Sequence, residues 1–345
     1  MSITHKMLNL VCLWILLPGP AFAALNGAHE VLNPAGPQAA SIADLWYLTV
    51  LICGIVFAAI LVAVIYTLWR APREEIYSPP DLQAFTEGEP KVRRTIILAV
   101  AVSVVLLVVL IIASMVTDRH LKYLSIVDAM HIEVTGHQWW WEVRYDDADV
   151  SKIFTTANEI HVPVGKPVIV TLKADDVIHS FWVPNLTGKA DLIPGRTTSL
   201  RFRADKAGIY RGQCAEFCGH QHTFMAFQVT AERQQDFDQW RSAQLQPAVE
   251  PMDAKAIHGK QVFMKSPCAM CHAIQGTDAQ ATSGPDLTHI ASRNAIAAGT
   301  LKNTPENIAK WITDPQSIKP GTNMPPTAFA QQDLESLVAY LGGLK

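Results

Sequence analysis

The sequence has no excess of either charge. Its 345 residues carry 28 Lys and Arg against 31 Asp and Glu, a formal net charge of −3. That balance excludes the broad basic footprint of a nucleic-acid-binding chain. No internal repeat is present, which excludes solenoid and propeller arrays. Cysteines are not spread through the chain as a disulfide framework requires. Of the six, Cys12 lies in an apolar leader, Cys53 in an apolar run, and the rest form two close pairs, Cys214/Cys218 and Cys268/Cys271. The apolar share is 49%, yet long uncharged runs are missing from the last two thirds of the chain. The average therefore conceals a membrane part joined to soluble parts, and the length allows about two or three domains.

Residues 1–23 read as a secretory signal. Lys6 is the basic region, Val11 to Leu17 an apolar core too short to span, and Ala21-Phe22-Ala23 the cleavage site. A short outer segment, 24–41, follows. Residues 42–69 and 95–117 are apolar enough and long enough for the roughly 20 residues a bilayer requires. The loop between them, 70–94, contains Arg70, Arg73, Lys91, Arg93 and Arg94 and is expected on the cytoplasmic side. Both ends of this hairpin then face outward.

From 118 to 245 the pattern changes to short runs rich in Val, Ile and Thr. They are Met130 to Thr135, Trp139 to Tyr145, Glu159 to Val164, Pro167 to Leu172, Thr197 to Ala204 and Ala226 to Thr230. Such spacing predicts an antiparallel sandwich or Greek-key barrel, followed by a helix from about Glu232 to Leu245. Residues 246–252 carry two prolines and read as a linker. Residues 253–345 are helical in pattern, with candidates at Asp253 to Met264, Pro305 to Thr313 and Gln331 to Leu341. Thr304 is a candidate N-cap ahead of a proline at the first helical position.

The densest chemistry lies in Cys214-Ala215-Glu216-Phe217-Cys218-Gly219-His220-Gln221-His222-Thr223-Phe224-Met225. Two thiolates, imidazole and a thioether are soft donors that favour copper, whereas methionine is unusual for zinc. Two cysteines in one loop can bridge a pair of copper ions, so that an unpaired electron is shared and little geometry changes on redox. A further ligand must come from elsewhere, and His179 is the best candidate, read as lying on a loop between strands. Spacing does not decide between His220 and His222. A structural disulfide between Cys214 and Cys218 is the plain alternative.

The chain resembles subunit II of the haem–copper cytochrome c oxidases. Gly136-His137-Gln138-Trp139-Trp140-Trp141, His179-Ser180-Phe181-Trp182, Asp191-Leu192-Ile193-Pro194-Gly195-Arg196 and the cysteine loop carry the resemblance. It implies a cupredoxin domain holding the dinuclear copper centre CuA. The implied ligands are His179, Cys214, Cys218, His222 and Met225 with the backbone carbonyl of Glu216. It also implies magnesium on the Glu216 side chain at the subunit I boundary, and Trp139 as the aromatic through which electrons arrive. Three successive tryptophans on a strand alternate faces, so at least one is expected at the surface or an interface. The chain departs from the family at Arg93 and Arg94, which stand about where a carboxylate serves proton uptake. That role is in doubt here.

Cys268-Ala269-Met270-Cys271-His272 is a C-x-x-C-H sequence, which attaches haem c through two thioethers and supplies an axial imidazole. Met324, in Gly321-Thr322-Asn323-Met324-Pro325-Pro326, is the best second axial ligand, because Met264 and Met270 lie too near the attachment site. Similarity to class I cytochromes c supports that choice and includes Gly284-Pro285. Arg293 and Trp311 are weaker candidates for contacting the haem propionates.

The expected architecture is a two-helix transmembrane hairpin, an all-β cupredoxin domain and an all-α cytochrome c domain, on the periplasmic side of a bacterial inner membrane. The resemblance implies transfer of electrons from cytochrome c, or another periplasmic donor, through haem c and CuA to subunit I, where oxygen becomes water, with subunit III as a further partner. A nitrous oxide reductase would need a large catalytic domain that is missing here. A quinol oxidase subunit would lack the copper cysteines. A membrane-tethered shuttle without subunit I remains the rival.

Overall fold

A computed structural model of the chain describes residues 30–71 and 90–345. The expected signal at 1–23 and most of the expected cytoplasmic loop lie outside the described residues. Helices α1 (Pro37–Arg70, 34 residues) and α2 (Pro90–Lys122, 33 residues) pack against each other. At 1.5 Å per residue each is about 50 Å long, beyond the roughly 30 Å of a hydrocarbon core. Both are long and apolar enough to cross a membrane. Their exposed side chains include Ile55, Phe57, Leu68, Ile97, Leu107 and Ile111, a surface suited to lipid and not to water.

The segment leading into α1 is stitched to the β-domain. Ala35 N–H donates to the Asn185 carbonyl at 2.7 Å, and Asp205 N–H donates to the Ala35 carbonyl at 2.7 Å. The Asn185 side chain donates to the carbonyls of Glu30 and Asn33 at 2.9 and 3.0 Å. These bonds fix where the helix leaves the domain.

The β-domain is two five-stranded sheets. One runs in the order β3-β2-β1-β5-β8, from β1 (Met130–His137), β2 (Trp140–Tyr145), β3 (Phe154–Ala157), β5 (Val168–Ala174) and β8 (Thr198–Phe202). The other runs β4-β10-β9-β6-β7, from β4 (Glu159–Pro163), β6 (His179–Trp182), β7 (Ala190–Leu192), β9 (Gly208–Cys214) and β10 (Ala226–Glu232). Val134, Val143, Val170, Leu172, Phe181, Leu192, Phe202 and Phe227 fill the space between the sheets and are buried. Alternation along β2 buries Trp141 and turns Trp140 outward, where it stacks on His137 at 4.4 Å. Trp139 sits at the β1–β2 turn, so the three tryptophans do separate as their alternation requires.

Three differences from the sequence reading stand out. His179 is the first residue of β6, inside a strand and fully buried, not on a loop. Strands β3, β6, β7 and β9 were not expected, being short or interrupted by glycine. Glu232 closes β10, and the helix after it, α3, spans Gln234–Gln244.

The C-terminal domain is built on α4 (Ala254–Lys265), α5 (Pro305–Thr313), the short α6 (Pro315–Ile318) and α7 (Gln331–Gly343). The Asp253 side chain caps α4 by accepting from Ala256 N–H, and Thr304 caps α5 by accepting from Asn307 N–H. A two-residue β-pair, Ala295–Ile296 with Leu301–Lys302, is the only strand structure among its described residues. Helices α4 and α7 cross at Gly259, where an added Cβ would run into the Ser336 backbone carbonyl. The helix pair can approach this closely only without a side chain there. Phe263, Ile308, Ile312, Leu337 and Leu341 form the core beneath.

Gly259→Ala is expected to destabilise this domain by about 1–3 kcal/mol through overpacking. The loss would appear as an earlier transition in its helical circular-dichroism signal under urea. An unchanged midpoint would mean the helices separate freely.

Candidate metal centre and haem-type site

Pairing of β6 with β9 sets Phe181 opposite Cys214, and this register brings His179 to the cysteine loop. The ligand atoms of His179, Cys214 and Cys218 lie within 4.8 Å of one another, and all three residues are buried. Cys214 Sγ is 3.9 Å from His179 Nδ1, 3.7 Å from Cys218 Sγ and 3.1 Å from the Glu216 carbonyl. Cys218 Sγ is 3.7 Å from His222 Nδ1 and 3.8 Å from Met225 Sδ. Both cysteines are free thiols, so the disulfide alternative does not describe this structure. The loop is closed at its base by Cys214 N–H donating to the Met225 carbonyl at 3.0 Å. His222 belongs to the cluster, whereas His220 lies beside Gly321 of the C-terminal domain.

Sequence reasoning missed the residue that orients His179. Asp176 Oδ1 lies 2.8 Å from His179 Nε2. The same carboxylate accepts from the backbone N–H groups of Val177 and Gln138, each at 2.6 Å. With Nε2 held, Nδ1 points to the sulfurs, the arrangement by which a carboxylate fixes a ligating imidazole. An acidic pair three and four residues ahead of a candidate ligand histidine was the available signal. Burial alone would raise the Asp176 carboxyl, but its hydrogen bonds hold it below the usual range. Burial alone would also lower His179, but bonds to Cys214 and Asp176 outweigh that and raise it. The two thiols share a hydrogen bond, and their closeness draws the Cys214 pKa down and pushes that of Cys218 up, which favours a single thiolate in the pair.

Two sulfurs, two imidazoles, a thioether and a carbonyl converge from the ends of β6, β9 and the loop before β10. This donor set fits copper better than zinc, calcium or magnesium. The Glu216 side chain is nearly half exposed and 3.8 Å from Lys189. Trp139 donates its Nε1–H to the Cys218 carbonyl at 2.8 Å and so touches the cluster's backbone.

In the C-terminal domain Cys268 and Cys271 share one tight turn, with Cys271 and His272 N–H both donating to the Cys268 carbonyl. His272 Nδ1 is 2.7 Å from the Pro285 carbonyl, which leaves Nε2 available. Burial pushes its pKa down, which favours the neutral ring with a lone pair to give. Gly284 lies against this ring, where an added Cβ would come within 2.8 Å of Cε1. Cys268 and Met324 pack on the same apolar cluster. The Met324 loop is pinned by Gln316, whose Nε2 donates to the carbonyls of Thr322 and Met324 at 2.8 and 3.3 Å. Arg293 is buried with Nη2 on the Asp286 carbonyl at 2.6 Å and Nε unpartnered. An orphaned buried guanidinium donor and two adjacent thiols fit a haem whose propionates complete the arginine's bonding.

Residues 147–232 match the family model "Cytochrome C oxidase subunit II, periplasmic domain", and residues 256–345 match "Cytochrome c". Curated relatives named cytochrome c oxidase subunit 2 include one from Alkalihalophilus pseudofirmus, 35% identical over 91% of this chain and 90% of that one. Another, from Bacillus subtilis, is 30% identical over 92% of each. Among solved structures, the periplasmic domain of subunit II of cytochrome oxidase from Bradyrhizobium japonicum is 32% identical, covering 33% of this chain and 92% of that one, with a TM-score of 0.31.

Asp176→Asn is expected to weaken copper binding by about 10–100-fold, the usual effect of losing such an orienting partner. Competition against a chelator of known affinity would measure it. Wild-type affinity in the variant would assign Asp176 to folding alone.

Proposed function

The chain belongs to the cytochrome c oxidase subunit II family and carries a cytochrome c domain at its C-terminal end; from that membership we propose that it is the subunit through which electrons reach a terminal respiratory oxidase. The convergence of His179, Cys214, Cys218, His222 and Met225 on one buried point carries the proposal. Those side chains and the Glu216 carbonyl would hold the dinuclear copper centre. Cys268 and Cys271 would bind haem c covalently, with His272 and Met324 as its axial ligands. When bound, these groups supply a one-electron relay from a cytochrome c donor toward subunit I, where oxygen is reduced to water with proton translocation.

The residues of the chain prepare that relay. Asp176 fixes the His179 ring, and burial favours the neutral form of His272. Trp139, bonded to the Cys218 carbonyl, offers an aromatic contact between the incoming side and the copper ligands. The Glu216 carboxylate, nearly half exposed, would share magnesium with subunit I. Lys91, Arg93 and Arg94 at the start of α2 favour a cytoplasmic loop. With the signal at 1–23 removed, that orientation puts both soluble domains, 118–245 and 253–345, outside the inner membrane, with 246–252 joining them. Subunit III completes the assembly.

The test is purification of the tagged chain from native membranes in mild detergent, followed by a reduced-minus-oxidised spectrum and oxygen uptake. Haem a-type bands with cyanide-sensitive, cytochrome-supported uptake are expected. Haem c and copper without uptake would reduce the chain to a tethered shuttle. Met225→Leu is expected to retain haem c bands while altering the copper absorption; an unaltered copper spectrum would remove Met225 from the ligand set.

A further inference from the structure

The two soluble domains meet where the Met324 loop rests on the β1–β2 turn and the cysteine loop. Lys319 lies in the middle of that contact and is only 3% exposed. A lysine is almost never so buried without a counter-charge, yet among the described residues no carboxylate pairs with it. Its Nζ donates instead to two carbonyls, Trp139 at 3.5 Å and Ala297 at 3.4 Å. One belongs to the β-domain and the other to the C-terminal domain. The ammonium also lies 6.0 Å from the centre of the Trp311 ring, within cation–π range. Burial draws the Lys319 pKa down to about 8, consistent with a cation largely stripped of water.

Around Lys319 the contacts are neutral. Asn323 Nδ2 donates to the Gln138 carbonyl at 2.8 Å, and the Gln221 side chain donates to the Pro320 carbonyl. Ala226 N–H donates to the Ala298 carbonyl at 3.1 Å. Gly321, at φ +87°, turns the loop so that its backbone lies against His220. An ammonium without water opposes contact unless its protons find acceptors, and the Trp139 carbonyl is such an acceptor only in this one seating.

We propose that Lys319 is a positioning residue: with Asn323 and Gln221 it seats the C-terminal domain over the Trp139 turn in one register, closing that face to external donors. The proposal deepens the functional reading above and rests on it. External donors then meet the cytochrome c domain, and the transfer onward crosses a contact whose one opposed charge pair, Arg293 with Glu159, is buried on both sides and so little screened. Such a contact is insensitive to salt, unlike the charge-steered docking of a separate protein.

The experiment uses the full chain in its holo-oxidase, as wild type, Lys319→Gln and Asn323→Asp. Hydrogen–deuterium exchange of residues 136–142 reports whether the turn is covered. Flash reduction of the haem, followed at the copper band, gives the intramolecular rate at low and high salt. The wild type is expected to protect the turn and to keep its rate within about twofold between roughly 10 and 500 mM salt. Lys319→Gln is expected to lose protection and slow transfer by about tenfold, because small misplacements of reacting groups are strongly felt. Asn323→Asp, which sets a carboxylate against the Gln138 carbonyl, should do the same and decides the matter if Lys319→Gln does not assemble. A wild-type rate that falls about tenfold with salt would overturn the proposal, as would unchanged protection and rate in both variants with intact spectra. Absence of the copper or haem spectrum in the wild type is a different failure, that of the functional reading.

Discussion

The register of β6 against β9 is the constraint on which the metal centre depends. Phe181 opposite Cys214 and Trp182 opposite Gln213 place His179 one step from the cysteine loop with its ring turned inward. Side chains on a strand alternate faces, so a slip of one residue would send His179 to the other side. The register is secured by what lies beneath it. Phe181 meets Phe227 at 4.6 Å and Trp141 at 6.2 Å, and Trp141 meets Phe227 at 5.2 Å between ring centres. Gly136 contributes by absence, since a Cβ there would stand 2.8 Å from the His179 ring. A metal bound at this point would tie β6, β9 and the start of β10 together, so its binding free energy would also be folding free energy.

Much of this was legible in the sequence, for identifiable reasons. The apolar helices, the β-rich middle and the helical end follow from length, periodicity and caps, and Thr304 caps the helix its position suggested. The clustered side chains were legible because Cys, His and Met within a dozen residues have few other uses. What escaped was whatever depended on pairing between distant segments. Strand β9 reads Gly-Ile-Tyr-Arg-Gly-Gln-Cys and shows none of the β-branched density of its neighbours. Its glycine at 212 is required because Phe227 fills the space a side chain would take. His179 was read as a loop residue because β6 has only four residues and becomes a strand by lying between β7 and β9. Asp176 and Lys319 have no signature of their own in the sequence. Both acquire meaning from carbonyls, amides or rings supplied by another part of the chain.

The connection between the domains also differs from what its composition suggests. Two prolines and no periodicity read as a linker, but the structure ties this segment to the C-terminal domain. Ala248 N–H donates to the Gln275 carbonyl at 3.0 Å, His289 Nε2 lies 3.0 Å from the Gln246 carbonyl, and Lys260 pairs with Glu250. A flexible tether acts by raising effective concentration, and the domains then still search for each other. A segment held along its length removes most of that search. The remaining freedom is small enough for a few hydrogen bonds to fix a single seating.

Covalent connection also changes what the interface must provide. Separate proteins meeting by diffusion gain from opposite charges, which steer the encounter and accelerate it. Domains joined by a pinned segment need no steering, and long-range charge would bring them nothing except sensitivity to salt. What they need is one register, and short-range donors matched to single carbonyls supply it. The contact around Lys319 has this character, with amide and ammonium donors on backbone oxygens and glycine where the loop turns. Elsewhere on the β-domain, the Ala35 and Asn185 hydrogen bonds hold the exit of α1 in the same manner, by backbone and amide groups. The β-domain is therefore fixed at the exit of α1 and again at the cytochrome c domain, both times by donors on single carbonyls, with the buried Arg293–Glu159 pair as the charge that crosses the second contact.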